Sequence, residues 1–254
     1  MKTMSLFEDK NSFLNNLSPL TKILYVLATI LIPIIAGDLA VFSITILLSV
    51  VLLAHSKVLR QTLPILSVSG FVILTVGIIQ GLFRSGNVTP VFQLGPVIFY
   101  KEGLIFAAEI ALNVCNIILA FCVLILTTKS SDMIEELVRK GFSPRMGYVF
   151  VSLFQLIPQM TSRMATITDA QRSRGMETEG SMLVRLKAFL PLVSPVIMSS
   201  FIDTRERAIA LEVRGFNSKS KKTFINPPIR SQFDRLIQIF CIFGVVLAIV
   251  WRVL

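Results

Sequence analysis

Two uncharged runs, Ile23 to Gly37 and Leu39 to Ala54, follow each other with only Gly37-Asp38 marking the join. A membrane span wants about 20 apolar residues. The pair is too long for one crossing and short for two, which predicts a tight helical hairpin turning at Gly37-Asp38. Pro33 offers a kink in its first arm. His55, Lys57 and Arg60 then return the chain to a basic side. Pro64 to Phe83 is a third apolar run, Leu104 to Leu126 a fourth, and Leu236 to Val250 a fifth, closed by Trp251 and Arg252 at an interface. Gly86, Pro90, Gly95 and Pro96 mark turns between the third and fourth, and Val91 to Tyr100 reads as a short extended excursion. The fourth run holds Glu109, Asn113 and Asn116, polar groups that must face protein or water rather than lipid.

With 54% hydrophobic and 16% charged residues over 254 positions, the chain carries too little charge to cover a soluble surface. The fold class is therefore all-α, a polytopic membrane protein of about five transmembrane helices with long cytoplasmic or interfacial helices added. The formal charge of +10 lies in loops between apolar runs, which places those loops, and the N-terminus, on the cytoplasmic side and the C-terminus outside. Aromatics are not interleaved with the basic residues, so nucleic acid is not the partner. Cys115, Cys122 and Cys241 lie inside apolar runs and read as small core residues. Met1 to Lys22 is mixed and polar, with Glu8 and Asp9 beside Lys2 and Lys10. It does not resemble a cleavable signal. Three regions are expected: 1–128 with four spans, 129–235 cytoplasmic, and 236–254 with the last span.

The middle region opens on a short helix within Lys129 to Arg145, with Asp132 as its cap, Glu135 three residues on, Gly141 at its end and Pro144 as a stop. The apolar runs Tyr148 to Gln159 and Ala188 to Ile202 contain Pro158, Pro191 and Pro195. As spans they would put Arg163, Arg172, Arg174, Arg185 and Lys187 outside, against the positive-inside tendency. They are instead expected as long helices at or near the cytoplasmic interface. Arg205 to Arg235 is basic, with Lys219, Lys221 and Lys222, and is broken at Asn226-Pro227-Pro228.

Within that region Ala-x-x-x-Arg-Gly occurs twice, at Ala170 to Gly175 and at Ala210 to Gly215. At average residue usage such a pattern should appear well under once in a chain of this length. Ala and Arg four residues apart share one helix face. The small Ala170 and Ala210 let a partner approach. Arg174 and Arg214 offer planar guanidinium forks suited to carboxylates, and Gly175 and Gly215 can take the left-handed conformation that ends a helix. Met160, Met164, Ile167 and Ala170 form a stripe leading to Arg174, while Ala208 and Leu211 lead less regularly to Arg214. Each copy is a helix end that offers an arginine to something acidic.

The paired motifs resemble those of the transmembrane T component of energy-coupling-factor (ECF) transporters. Leu17-Ser18-Pro19-Leu20-Thr21-Lys22, Lys101-Glu102-Gly103-Leu104, Thr127-Thr128 and Pro144 also resemble positions of that family. Ser173 and Val213 depart from the family pattern before each Arg-Gly, and Asn113 stands where that family has an arginine. The resemblance implies a non-catalytic coupling subunit in the cell membrane. Two ABC-type ATPase subunits, or a fused pair, would dock on the two arginine-bearing helices. A separate membrane S component would bind the cargo, a vitamin or its precursor, with cobalt or nickel as the alternative.

No Gly-x-x-x-x-Gly-Lys-Ser/Thr loop occurs, so ATP hydrolysis must come from a partner. No Glu-Ala-Ala-type coupling loop is found either, which separates the chain from ordinary ABC importer permeases. An intramembrane enzyme would need more than Glu135, Glu136 and the lone His55, which read as a solvated helix face and a loop residue. No metal or cofactor site is expected. A stand-alone carrier could use Glu109, Asn113 and Asn116, but only one span shows such polarity, and hydrogen bonding between helices accounts for it.

Overall fold

A computed structural model describes residues 12–86, 88–94, 97–176, 181–218, 223–224, 231 and 233–253. After a 3-10 turn at Phe13–Asn16 come α1 (Pro19–Ala36), α2 (Leu39–His55), α3 (Leu59–Phe83), β1 (Pro90–Leu94), β2 (Val97–Tyr100) and α4 (Lys101–Thr127). Then follow α5 (Ser130–Arg139), α6 (Pro144–Ser173), α7 (Met182–Val213) and α8 (Asp234–Val253). The chain divides into two units. One holds α1 to α4 and α8; the other holds α6 and α7; α5 runs from the first into the second. Lys2, Glu8, Asp9, Lys10, Gly95, Pro96, Lys219, Lys221, Lys222 and Asn226-Pro227-Pro228, all named in the sequence reading, lie outside the described residues.

In the first unit α1, α3, α4 and α8 are each long and apolar enough to cross a membrane, and α2 is a shorter apolar helix of 17 residues. These five are the five apolar runs. At 1.5 Å per residue α2 reaches roughly 26 Å, slightly less than a hydrocarbon core of about 30 Å. Ser18 starts α1 by accepting from the Thr21 N–H at 3.3 Å, with Pro19 in the first turn. Gly37 ends it at φ 67° and donates its N–H to the Pro33 carbonyl at 2.9 Å. Asp38 then caps α2 by accepting from the Ala40 N–H at 3.0 Å. The expected hairpin tip is therefore a left-handed glycine followed by an acidic cap.

Pro33 lacks the N–H that would serve the Thr29 carbonyl one turn back. Asn116 of α4, fully buried, donates its Nδ2–H to that carbonyl at 2.7 Å. Nearby, the Tyr25 and Ser49 hydroxyls lie 2.7 Å apart, joining α1 to α2. In an apolar solvent each of these polar groups needs a protein partner.

The core of this unit is Leu14, Leu17, Tyr25, Val26, Ala28, Leu53, Val58, Leu119, Ala120, Cys122, Val123, Leu126 and Cys241. Cys122 and Cys241 are thus core residues, and Cys115 is half-buried on α4. Helix α3 packs along α4, and its outward side chains Val68, Phe71 and Phe83 are all more than 70% exposed, a surface suited to lipid. The two helices meet at Gly81 and Gly103, where a Cβ on Gly103 would stand 2.3 Å from the Gln80 carbonyl oxygen. The extended excursion is an antiparallel hairpin pairing Pro90 with Tyr100 and Leu94 with Val97. Glu102 closes it by accepting from the Thr89 hydroxyl and from the backbone N–H groups of Thr89 and Val88. Arg84 donates to the Glu102 carbonyl at 2.8 Å and lies 3.9 Å over the Phe106 ring.

At the other end of the same helices Lys22 is 2% exposed. Its Nζ donates to the Thr127 carbonyl at 2.8 Å and to the Thr128 hydroxyl at 3.1 Å. The Ser18 N–H donates to Asp234 Oδ1 at 3.0 Å, and Gln238 donates to the Thr21 hydroxyl at 2.8 Å. The start of α1, the end of α4 and the start of α8 are thereby tied together.

Three local expectations are corrected. Asp132 sits inside the first turn of α5, which begins at Ser130, because the chain turns helical directly after Lys129, whose carbonyl accepts the Asp132 N–H at 3.1 Å. Pro144 does not merely stop a helix: it opens α6, where its missing N–H costs nothing. Glu136 is also not on a solvated face. It is 7% exposed, sharing the buried side of this ten-residue helix with Ile134, while Ser130 and Ser131 are exposed and the rest half-buried. His55, by contrast, is exposed at the end of α2.

Candidate functional site

The second unit extends the repeat far beyond six residues. Helix α6 ends at Ser173 and α7 at Val213, positions 40 apart, the same offset that separates the two motifs. Both ends close with the same pair of bonds. Gly175 donates its N–H to the Arg172 carbonyl and Met176 to that of Gln171, at 2.9 and 3.1 Å. Gly215 donates to Glu212 and Phe216 to Leu211, both at 2.9 Å. This pairing of a six-to-one and a five-to-two bond is the Schellman ending, which needs a left-handed residue. Gly175 and Gly215 supply it at φ 85° and 70°. Nothing lies within 4 Å of a Cβ placed on either glycine, so conformation, not crowding, demands glycine there.

The six expected site residues, Ala170, Arg174, Gly175, Ala210, Arg214 and Gly215, are all exposed. Arg174 and Arg214 are the cap residues, one position past each helix, where the carbonyl end of the helix dipole favours a cation. Among the described residues neither guanidinium makes a hydrogen bond or ion pair. The surroundings of the two tips differ: the Phe216 ring packs on Tyr148 of α6 with centroids 5.5 Å apart, whereas Met176 takes the matching place after Gly175.

The contact face is shared as well. Half-buried positions Leu156, Gln159, Arg163, Ile167 and Gln171 on α6 match Val196, Ser199, Asp203, Arg207 and Leu211 on α7 at the offset of 40. The expected stripe through Met160 and Ala170 thus runs beside the packed face, not along it; both are exposed, while Met164 and Ile167 are half-buried. Three polar links join the helices. Arg163 pairs with Asp203 and donates to the Ser199 hydroxyl at 3.3 Å, and Arg207 donates to Gln159 Oε1 at 2.9 Å. Sequence reasoning missed these, treating Arg163 only as a loop charge. The offset of 40 that aligns the motifs also aligns Arg163 with Asp203 and was the available signal.

The weaker family-like segments are accounted for as well, all in the first unit except Pro144. Lys22 meets Thr127-Thr128, Glu102 closes the hairpin, Gly103 lets α3 approach α4, and Pro144 opens α6. Asn116 serves the Thr29 carbonyl, whereas Glu109 and Asn113 are half-buried on the same helix without joining it in that contact.

The CbiQ family, described as cobalt transport protein, matches residues 10–224, which include both motifs. The chain belongs to that family. Its similarity to curated relatives runs nearly end to end. It is 27% identical to the energy-coupling factor transporter transmembrane protein EcfT of Lactococcus lactis subsp. cremoris, over 95% of this chain and 94% of that protein. The EcfT proteins of Clostridium kluyveri and Exiguobacterium sibiricum are 26% and 28% identical, each covering more than 80% of both chains. This CbiQ-family chain is thus a T component of the ECF transporter class, and its apolar helices are those of a membrane transport protein.

Proposed function

We propose that this T component is the coupling subunit of an ECF-type importer in the plasma membrane. It passes ATP-driven motion of two ABC-type ATPase subunits, or a fused pair, to a substrate-binding S component. It has no catalytic role of its own. The observation that carries this reading is the pair of helix ends closed by the same two bonds, each presenting an exposed arginine that has no partner among the described residues. Arg174 and Arg214 dock against acidic groups in matching clefts of the two ATPases, while Ala170 and Ala210 allow close approach and Gly175 and Gly215 end the helices. The region 129–235 is cytoplasmic, with the N-terminus on the same side, between the spans of 1–128 and the last span in 236–254.

The cargo is a vitamin or vitamin precursor, as the T components named for energy-coupling factor suggest by resemblance. A second reading, cobalt or nickel uptake, is favoured by the description of the matched family as cobalt transport proteins. Affinity purification from native membranes tests both. Two ATPases with a small hydrophobic protein support the coupling role, and the ligand of that small protein names the cargo. If Arg174→Ala/Arg214→Ala retains the ATPases at wild-type stoichiometry and transports normally, the docking assignment is wrong.

A further inference from the structure

Each tip arginine lies the same distance along its helix from one ion pair. Arg174 is 11 residues beyond Arg163, and Arg214 is 11 beyond Asp203. At 1.5 Å per residue that gives two arms of about 16 Å. Arg163 and Asp203 occupy equivalent places in the 40-residue repeat and face each other. Two helices related in this way meet at the position that each repeat shares. Gln159–Arg207 and Arg163–Ser199 flank that point, so α6 and α7 run in opposite senses through it.

From Gln159 to Ser173 and from Ser199 to Val213 there is no proline or glycine. Both arms are therefore uninterrupted helix, stiff over their length. The prolines, Pro158, Pro191 and Pro195, all fall on the far side of the crossing from the tips. A purely apolar crossing would hold the helices together equally well, since a half-exposed ion pair adds little stability. What directional bonds add is a fixed register: the helices cannot slide without breaking all three, yet they can change crossing angle about them.

We infer that Arg163, Asp203, Gln159 and Arg207 are positioning residues that form a pivot, setting the separation of the two arginine tips. The inference rests on the docking role proposed for Arg174 and Arg214. A change in crossing angle of about 15–20°, the scatter one packing class tolerates, swings one tip by roughly 5 Å relative to the other. Without the pivot the tips would lose a common fulcrum, and the ATPases would pull on helices free to slip.

The test places spin labels at Asp169→Cys and Ile209→Cys, two exposed repeat-equivalent positions on the tip side of the pivot, in a background with Cys115, Cys122 and Cys241 replaced. Distances are measured by pulsed electron resonance in the purified, lipid-reconstituted transporter complex, alongside transport. The native pivot is expected to give a narrow distribution that shifts with ATP. Arg163→Asp should broaden or shift it by about 5 Å and lower transport at least tenfold, with both ATPases still bound. The exchange Arg163→Asp/Asp203→Arg should restore both. Should Arg163→Asp not accumulate, the shape-preserving Asp203→Asn reads the same distance. An unchanged distribution in these variants, or an exchange that restores neither readout, overturns the pivot. Loss of ATPase binding on Arg174→Ala/Arg214→Ala, measured in parallel, keeps the docking role separate from that outcome.

Discussion

Asn116 donates to the Thr29 carbonyl at 2.7 Å, the carbonyl that Pro33 leaves without its helical partner. One side chain on α4 thus repairs a gap that proline makes in α1, in a part of the protein where water is not available to do so. The two residues should therefore be energetically coupled through Pro33. Asn116→Leu is expected to destabilise the protein by about 1–2 kcal/mol. In a Pro33→Ala background, where the helix supplies its own N–H to Thr29, the same change should cost clearly less. Thermal unfolding of the four proteins in detergent closes the cycle. Equal costs in both backgrounds would show that the Asn116 contact does not answer the proline.

The approach of α3 to α4 depends on Gly103. An added Cβ would stand 2.3 Å from the Gln80 carbonyl oxygen and 3.0 Å from the Gly81 Cα, both backbone atoms with little room to give. Gly103→Ala is expected to cost about 1–3 kcal/mol, as overpacking usually does. The loss should concentrate in α3, which packs along α4 and exposes much of its remaining surface. Cysteine accessibility or protease cleavage in the 84–100 loop should rise while the link between Lys22 and Thr127 stays intact. Gly70→Ala, with nothing within 4 Å of its Cβ, is the matched control and should be neutral.

The spans were legible because their cause is local: an uncharged run of sufficient length can satisfy its backbone only as a helix. The hairpin turn was legible for the same reason, since Gly37 and Asp38 carry their own end and start signals. The motif ends were legible down to the left-handed glycine. What the sequence did not disclose depends on contacts between distant segments. Nothing near Lys22 announces that its ammonium reaches Thr127, more than 100 residues away. Glu136 reads as a solvated residue in a short amphipathic helix until it is seen on the buried side with Ile134. The Arg163–Asp203 pair sat at the repeat offset, but an ion pair follows from two charges only once the helices are known to cross there.

Burying an ammonium group to 2% exposure is tolerable only with its donors engaged. Lys22 gives one hydrogen bond to the Thr127 carbonyl and another to the Thr128 hydroxyl, at the junction where α4 leads into α5. Lys22→Met keeps much of the length and removes the charge. It should destabilise the protein by about 1.5–3 kcal/mol, the range for hydrogen bonds from a charged group. Lys22→Arg should not rescue it, since a planar fork does not fit a pocket filled by a compact ammonium. A thermal midpoint for Lys22→Met equal to that of the native protein would contradict this assignment.

Gly175 and Gly215 hold left-handed conformations with open space around them. Alanine at either site is therefore penalised by backbone conformation alone, by about 1–2 kcal/mol. The amides of Met176 and Phe216, which donate the six-to-one capping bonds, should exchange their hydrogens roughly 5–30 times faster in the alanine variants, the factor that 1–2 kcal/mol implies. The Phe216 amide should be the less affected, because the ring after it is also held against Tyr148. Equal acceleration at both would mean that the aromatic contact does not steady the second tip.

The two tip arginines separate charge from shape. Arg174 and Arg214 are exposed at the carbonyl ends of their helices, so the isolated subunit gains almost nothing from them and their substitution should leave its thermal stability unchanged. In the proposed complex they matter as forks. Arg→Lys preserves the charge, and with it the long-range attraction, but loses the bidentate geometry. The expected result for Arg174→Lys or Arg214→Lys is an association rate close to native and a faster dissociation of the ATPases. Arg→Ala should slow association as well, with a cost of about 2–5 kcal/mol if the acidic partner is left buried and unpaired. Surface plasmon resonance at two salt concentrations distinguishes these cases: the native and lysine forms should both weaken as salt rises, and the alanine form much less. Identical kinetics for lysine and arginine would show that the sockets read charge alone.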